Sequence, residues 1–208
     1  MIQYGFHVDT SKCTGCKTCQ VSCKDRKDLP VGVNWRRVYE YAGGDWVLGS
    51  DGTYTNDVFA YYMSIACNHC NNPACVKACP TGAMHKRPQD GLVAVNEDVC
   101  VGCRYCEMAC PYGAPQYDPA KKNMTKCDGC YDRLEQGLKP VCVESCPLRA
   151  IEFGPMPELI EKYGSRADIA PLPDPRLTSP NLIITTCKTS KLSGDKKGSV
   201  QNPTEVGL

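Results

Sequence analysis

Sixteen cysteines fall into four groups of four, and no other feature of this chain restricts its fold as much. Group one is Cys13, Cys16, Cys19 and Cys23, and group two is Cys67, Cys70, Cys75 and Cys79. Group three is Cys100, Cys103, Cys106 and Cys110, and group four is Cys127, Cys130, Cys142 and Cys146. Only Cys187 stands outside them, and it reads as structural or incidental. Groups one and three share the spacing C-x2-C-x2-C-x3-C, the run of bacterial ferredoxins, and group three closes with the accompanying proline, Pro111. Groups two and four alter the spacing but keep the final x3-C-P with Pro80 and Pro147, whereas group one has Lys24 in that place.

The spacing has a physical reason. A 4Fe–4S cube presents four irons, each needing one thiolate. Three cysteines in seven residues wrap one face, and Gly15 and Gly102 allow the positive φ and close N–H approach such loops need. The fourth cysteine lies four residues on, about one helical turn or ~6 Å along an axis. A short helix can therefore carry Cys106 to one cluster and Cys110 to its neighbour. The sixteen ligands predict four 4Fe–4S clusters in two interlocked pairs.

Other uses of cysteine fit less well. Disulfide scaffolds belong to short secreted chains, but Met1-Ile2-Gln3-Tyr4-Gly5 does not begin a secretory signal and 17 cysteines is an odd number. Group four alone, C-x2-C-x11-C-x3-C, matches a four-thiolate zinc site. Zinc, however, has no need of three thiolates in seven residues. The alternative function is a zinc-stabilised interaction or nucleic-acid-binding module, and a pI near 7.4 does not favour it. His69 lies between Cys67 and Cys70, yet its group already has four cysteines, so it reads as a loop residue. His7 and His85 read as surface or hairpin residues. No Ser-His-Asp pattern, glycine-rich phosphate loop or paired carboxylates stand out, so a non-catalytic chain is expected.

Leu, Ile, Val and Phe supply only 38 of 208 residues while the formal net charge is +1. The chain is not charged enough for disorder, but something besides an aliphatic core must hold it together. Metal ligation, which couples to folding, supplies that. Lys17, Lys24, Arg104 and Lys126 adjoin the groups and could offset the roughly −2 charge of each oxidised cluster. No run approaches the ~20 apolar residues of a membrane span, and Arg36-Arg37 lies too far inside for a twin-arginine signal.

The expected fold class is α+β: two ferredoxin-like 4Fe–4S modules, one discontinuous, with a strand-rich insertion and an extended C-terminal tail. Groups one and four would occupy 1–34 with 119–156, groups two and three 60–118, and the insertion 35–59. Strands are predicted at Trp35–Tyr41 and Val58–Ile65, and a hairpin joins Met84–Lys86 to Leu92–Val95. Short helices are predicted at Thr18–Lys27, Arg104–Ala109, Asp128–Gln136, Val141–Ser145 and Pro157–Tyr163. The rest of 157–208 is proline-rich from Ala170, a tail either disordered or laid over a partner.

The stretches RRVYEYAGGDW (36–46), CRYCEMACPYGAPQY (103–117), MTKCDGCYDR (124–133) and CVESCPLRAIEFGP (142–155) carry a further signal. With the four groups, they resemble the four-cluster iron–sulfur subunits of molybdopterin oxidoreductases, and among these the subunits of anaerobic dimethyl sulfoxide reductases. The resemblance implies nested pairing. One cluster would use Cys13, Cys16, Cys19 and Cys146, and the second Cys127, Cys130, Cys142 and Cys23. The third would use Cys100, Cys103, Cys106 and Cys79, and the fourth Cys67, Cys70, Cys75 and Cys110. Nitrate reductase relatives have tryptophan at the position of Cys103 and a 3Fe–4S cluster, so cysteine here implies a full cube.

It also implies an electron relay in anaerobic respiration between an integral membrane, quinol-oxidising anchor subunit and a molybdopterin catalytic subunit. Dimethyl sulfoxide or an N-oxide would be the acceptor; polysulfide, tetrathionate or selenate reductase or formate dehydrogenase complexes are the alternatives. The implied location is peripheral on the cytoplasmic membrane, at the periplasmic face after co-export with a signal-bearing catalytic subunit, the cytoplasmic face being the alternative. No nucleic acid and no transmembrane segment of its own are expected.

Overall fold

The computed structural model describes residues 2–207 and is an α+β fold of short elements. In chain order these are β1 (Tyr4–Asp9), α1 (Thr18–Arg26), β2 (Arg37–Gly43), β3 (Trp46–Leu48), β4 (Tyr54–Asn56), β5 (Phe59–Ile65), α2 (Ala74–Lys77), β6 (Met84–Lys86) and β7 (Val93–Val95). There follow α3 (Tyr105–Ala109), β8 (Gln116–Asp118), β9 (Asn123–Thr125), α4 (Tyr131–Leu134), α5 (Val141–Glu144), β10 (Ile151–Pro155), α6 (Met156–Tyr163), β11 (Leu182–Thr185), β12 (Gly198–Val200) and α7 (Pro203–Val206).

The cysteine loops keep the helices short. α2 and α5 each begin after a proline, Pro73 or Pro140, and end before the proline that follows the group's last cysteine. α1 packs against α5 and α2 against α3. Across the first pair, the Ser22 and Ser145 hydroxyls lie 2.7 Å apart. Lys27 bridges from the end of α1 to Asp128 at 2.8 Å and Asp132 at 3.0 Å.

Three-stranded sheets flank the first helix pair. In one, β1 lies between β10, antiparallel from Tyr4↔Pro155 to Val8↔Ile151, and β11, parallel from Phe6↔Leu182 to Asp9↔Thr185. The central strand is buried on both faces from Gly5 to Asp9, as expected where both edges are paired and both faces covered. This corrects the reading of His7 as a surface or hairpin residue. Its ring is buried, stacks on Tyr163 and lies 2.9 Å from the Thr185 hydroxyl. His85 does sit in the β6–β7 hairpin, half-buried.

The second sheet places β2 between β5 and β12, both antiparallel to it. Tyr41, Phe59 and Tyr61 pack there with ring centroids 5.5–6.4 Å apart. The tail is ordered against its own chain. It supplies β11 to the first sheet and β12 to the second, and ahead of both the Tyr61 hydroxyl donates to the Ala170 carbonyl at 2.8 Å. At Gly198 this strap lies close to β2, and a Cβ there would be 2.6 Å from the Tyr41 ring. Among the described residues no helix is long and apolar enough to cross a membrane.

Candidate metal centres

Each cysteine group opens on a left-handed turn. The residue before the second cysteine has positive φ in all four: Gly15 (70°), His69 (45°), Gly102 (64°) and Gly129 (71°). Lys17 and Arg104, just after that cysteine in groups one and three, are left-handed as well. Successive turns of this kind point backbone N–H groups into a concave, electropositive cradle. Backbone N–H groups accordingly donate to sulfur: His69 to Cys67, Met84 to Cys79 and Met124 to Cys100 at 3.4 Å, and Ala150 to Cys146 at 3.3 Å.

The thiols gather in sets that mix the groups, because the paired helices bring the last cysteine of one group to the loop of another. Cys13, Cys16, Cys19 and Cys146 line one small cavity. Cys79, Cys100, Cys103 and Cys106 line another. Cys23 sits in the fields of Cys127, Cys142 and Cys130, and Cys75 in those of Cys67, Cys110 and Cys70. Cys187 joins no set; its sulfur lies 3.1 Å from the Ser190 hydroxyl.

Adjacent sets also touch. Cys19 feels Cys142, and Cys127 feels Cys67, with which it packs in one small apolar cluster beside Ala66 and Ala114. Cys16 and Cys103 are exposed, whereas Cys142, Cys127 and Cys67 are buried.

Burial pushes most of these thiols up. Cys13 and Cys106 rise to about 11, and Cys70 and Cys130 to about 12, with neighbouring thiols adding to the rise. Near solvent the balance reverses. Thr18 donates to Cys16 and lowers it; at Cys79 burial raises the thiol, but N–H donation from Met84 and the Thr81 hydroxyl outweigh it. Buried thiols of this kind are neutral unless a cation draws off the proton, and metal binding does so with proton release. All-sulfur donors, convergent N–H groups and cavities lined by four thiols fit an iron–sulfur cube. Among the described residues, no three His, Cys, Asp or Glu side chains close on one point as ligands of a single ion do.

Of the four cations flanking the groups, Lys126 alone is buried, its ammonium donating to the carbonyls of Val93 and Cys127. Lys17 is paired with Glu40 and Glu205, Lys24 holds the carbonyls of Pro30 and Val33, and Arg104 pairs with Glu107. Two residues have surroundings that the motifs do not announce. His69 is fully buried where the other groups have glycine, and its Nδ1 accepts from the Val93 N–H at 2.9 Å. Its signal is C-N-H-C standing against three C-x-G-C loops. Arg36 is the other: an arginine opening a β-patterned stretch, it is 2 % exposed among the thiols.

Thiol sets carried on pairs of short helices define a ferredoxin-type iron–sulfur protein. The 4Fe–4S dicluster domain family accordingly matches residues 58–156. Over 206 residues the sequence is 60% identical to the B subunit of anaerobic dimethyl sulfoxide reductase from Haemophilus influenzae, covering 99% of this chain and 100% of that one. It is 61% identical over 204 residues to the corresponding B subunit of Escherichia coli K12, with 98% of each covered. The polysulfide reductase B subunit of Wolinella succinogenes is 37% identical over 190 residues, 88% of this chain and 93% of that one. The chain belongs to the family of iron–sulfur B subunits of anaerobic dimethyl sulfoxide reductases, and its role is electron transfer by 4Fe–4S clusters.

Proposed function

We propose that this chain holds four 4Fe–4S clusters as a relay between a quinol-oxidising membrane anchor subunit and a molybdopterin catalytic subunit that reduces dimethyl sulfoxide or an N-oxide. The ligands are Cys13, Cys16, Cys19 and Cys146 for the first cluster, and Cys127, Cys130, Cys142 and Cys23 for the second. The third has Cys100, Cys103, Cys106 and Cys79, and the fourth Cys67, Cys70, Cys75 and Cys110. Bound there, each cluster supplies one-electron transfer, and several in series span a distance that a single hop does not.

The observation that carries this reading is the mixing of groups in every set together with exposed cysteines, Cys16 and Cys103, at opposite ends of the series. The packing of Cys127 with Cys67, and the electrostatic influence of Cys142 on Cys19, support the order first, second, fourth, third. The helix pairs support two modules, 1–34 with 119–156 and 60–118. At the Cys103 end, exposed Val99, Val101, Tyr105 and Met108 offer an apolar surface for the anchor, leaving the Cys16 end for the catalytic subunit. The fold buries the middle thiols from water and supplies N–H donors to sulfur, while the sulfoxide chemistry belongs to the catalytic partner. The complex would sit peripherally on the membrane, at the periplasmic face.

Anaerobic purification with iron and sulfide analysis tests this: about 16 of each per chain are expected. A colourless protein containing zinc would refute it. A native preparation should co-elute with both partners, and a lone chain that turns over substrate would refute the relay.

A further inference from the structure

Two adjacent arginines enter β2, both buried, and they are used differently. The Arg37 fork donates to the Tyr112 carbonyl at 2.6 Å and the Val206 carbonyl at 3.3 Å, which ties the strand to a cysteine loop and to α7. Arg36 has one such bond, from Nη1 to the Ser64 hydroxyl at 3.1 Å, and its guanidinium lies 4.6 Å from the centre of the Phe6 ring. Its Nε and Nη2 are buried with no hydrogen-bond partner among the described residues. The groups that dominate its electrostatic surroundings are sulfurs, those of Cys142, Cys19, Cys127 and Cys23, which carry negative charge once a metal draws off their protons. Ser64 also lies against Cys19, oxygen to sulfur 3.4 Å.

A buried cation with unmet donors and no partner is strongly destabilising, so the fold tolerates this one only where negative charge stands beside it. Cys19 belongs to the first ligand set, and Cys142, Cys127 and Cys23 to the second. We propose that Arg36 is the shared counter-ion of the first and second cluster sites, and that its fixed charge and free N–H donors raise both reduction potentials. The inference rests on the ligand sets proposed above. Each reduction adds one electron, supplied by the reductant, to an already negative cluster. A fixed cation and N–H donors beside the sulfurs favour the more negative form. No sulfur of the third or fourth set is among the groups that act on it most strongly.

The test is a dithionite potentiometric titration of the purified, anaerobic complex, followed by electron paramagnetic resonance, with iron and sulfide counted in the same samples. Arg36→Met with full iron should lower two of the four midpoint potentials and leave the other two in place. Arg36→Lys, which keeps the charge, should lower them less. Unmoved potentials in Arg36→Met, a fall common to all four, or a fall as large in Arg36→Lys would overturn the proposal. If Arg36→Met fails to retain iron, Arg36→Lys decides. Full iron with at most a small fall, confined to two potentials, supports the proposal; lost iron, or a shift common to all four, overturns it. A wild-type complex without four reducible clusters would sink the ligand sets and this inference together, whereas four clusters indifferent to Arg36 sink the inference alone.

Discussion

Gly102 sits at φ 64° with a backbone carbonyl, that of Lys122, 2.5 Å from where a Cβ would stand. An alanine there meets both obstacles: about 1–2 kcal/mol for the left-handed conformation, and a clash that only movement of the β8–β9 turn could relieve. Gly207 is left-handed too, φ 74° and ψ 40°, but has nothing within 4 Å. We therefore expect Gly102→Ala to lose about a quarter of its iron, and Gly207→Ala to keep all of it at a cost of about 1 kcal/mol. Iron analysis beside thermal unfolding separates the two. His7 sets a pH dependence at the same scale. Burial lowers its pKa below 6.5, although Asp9 and Glu152 pull the other way. Below that value the unfolded chain binds the proton more readily than the folded one. The contribution of His7 is thus intact above pH 6.5 and lost as the pH falls towards its folded value. His7→Gln should flatten the fall in melting temperature between about pH 7 and about pH 5; a parallel curve for the variant would contradict the assignment.

The tail elements hold by close approach, and at Gly198 the backbone lies directly against the Tyr41 and Phe59 rings. A valine at this position would drive into Tyr41 and Phe59, with Tyr41 ring atoms 2.6 Å from the new Cβ. Gly198→Val should peel β12 from β2 and loosen α7, including the Lys17–Glu205 ion pair. Limited proteolysis of the isolated holo-chain would then cut within 190–208, which should resist cleavage in the wild type. Those strands were not legible in the sequence, for reasons the register makes plain. β11 lies in a proline-rich stretch and pairs with a strand more than 170 residues away, and β12 has only three residues. β1 is buried on both faces, so Tyr4–Asp9 shows no alternation and hides a histidine. The β6–β7 hairpin and the cysteine-bearing helix α3 were legible, because a Pro-Gln-Asp-Gly turn and the x3-C spacing act locally. The four cysteine groups and an exchange of their last cysteines could be read off, but which groups pair follows from α1 meeting α5 and α2 meeting α3, which spacing does not encode.

Across the whole molecule, the proposed relay would run from surface to interior and back to surface, so the protection of each sulfur should follow its place in the series. Cys16 and Cys103 are exposed at the two ends, whereas Cys67, Cys75, Cys127 and Cys142 are buried in the middle. A cluster is lost where oxidant and water reach it, and a freed thiol is alkylated in proportion to its thiolate fraction and exposure. Both factors rank the sites alike: burial raises the interior thiols, and Thr18 lowers Cys16. Cys187 provides an internal reference. It belongs to no set, and although burial raises it, hydrogen bonds from Ser190 and Thr189 bring it below the ordinary thiol value. If the isolated holo-chain is exposed briefly to air with iodoacetamide and its peptides are weighed, Cys187 should be labelled first, with no loss of iron. Cys16 and Cys103 should follow as the brown colour begins to fade, and Cys67 and Cys127 should come last, together with cooperative loss of the fold. The last step follows from the sparse aliphatic core: Cys19, Cys142 and Cys146 lie in the main apolar cluster, so removing the metal from the middle of the chain removes part of that core. Simultaneous labelling of all sixteen grouped cysteines would mean that the chain opens globally before any cluster is reached, and the graded series of sites would have to be abandoned.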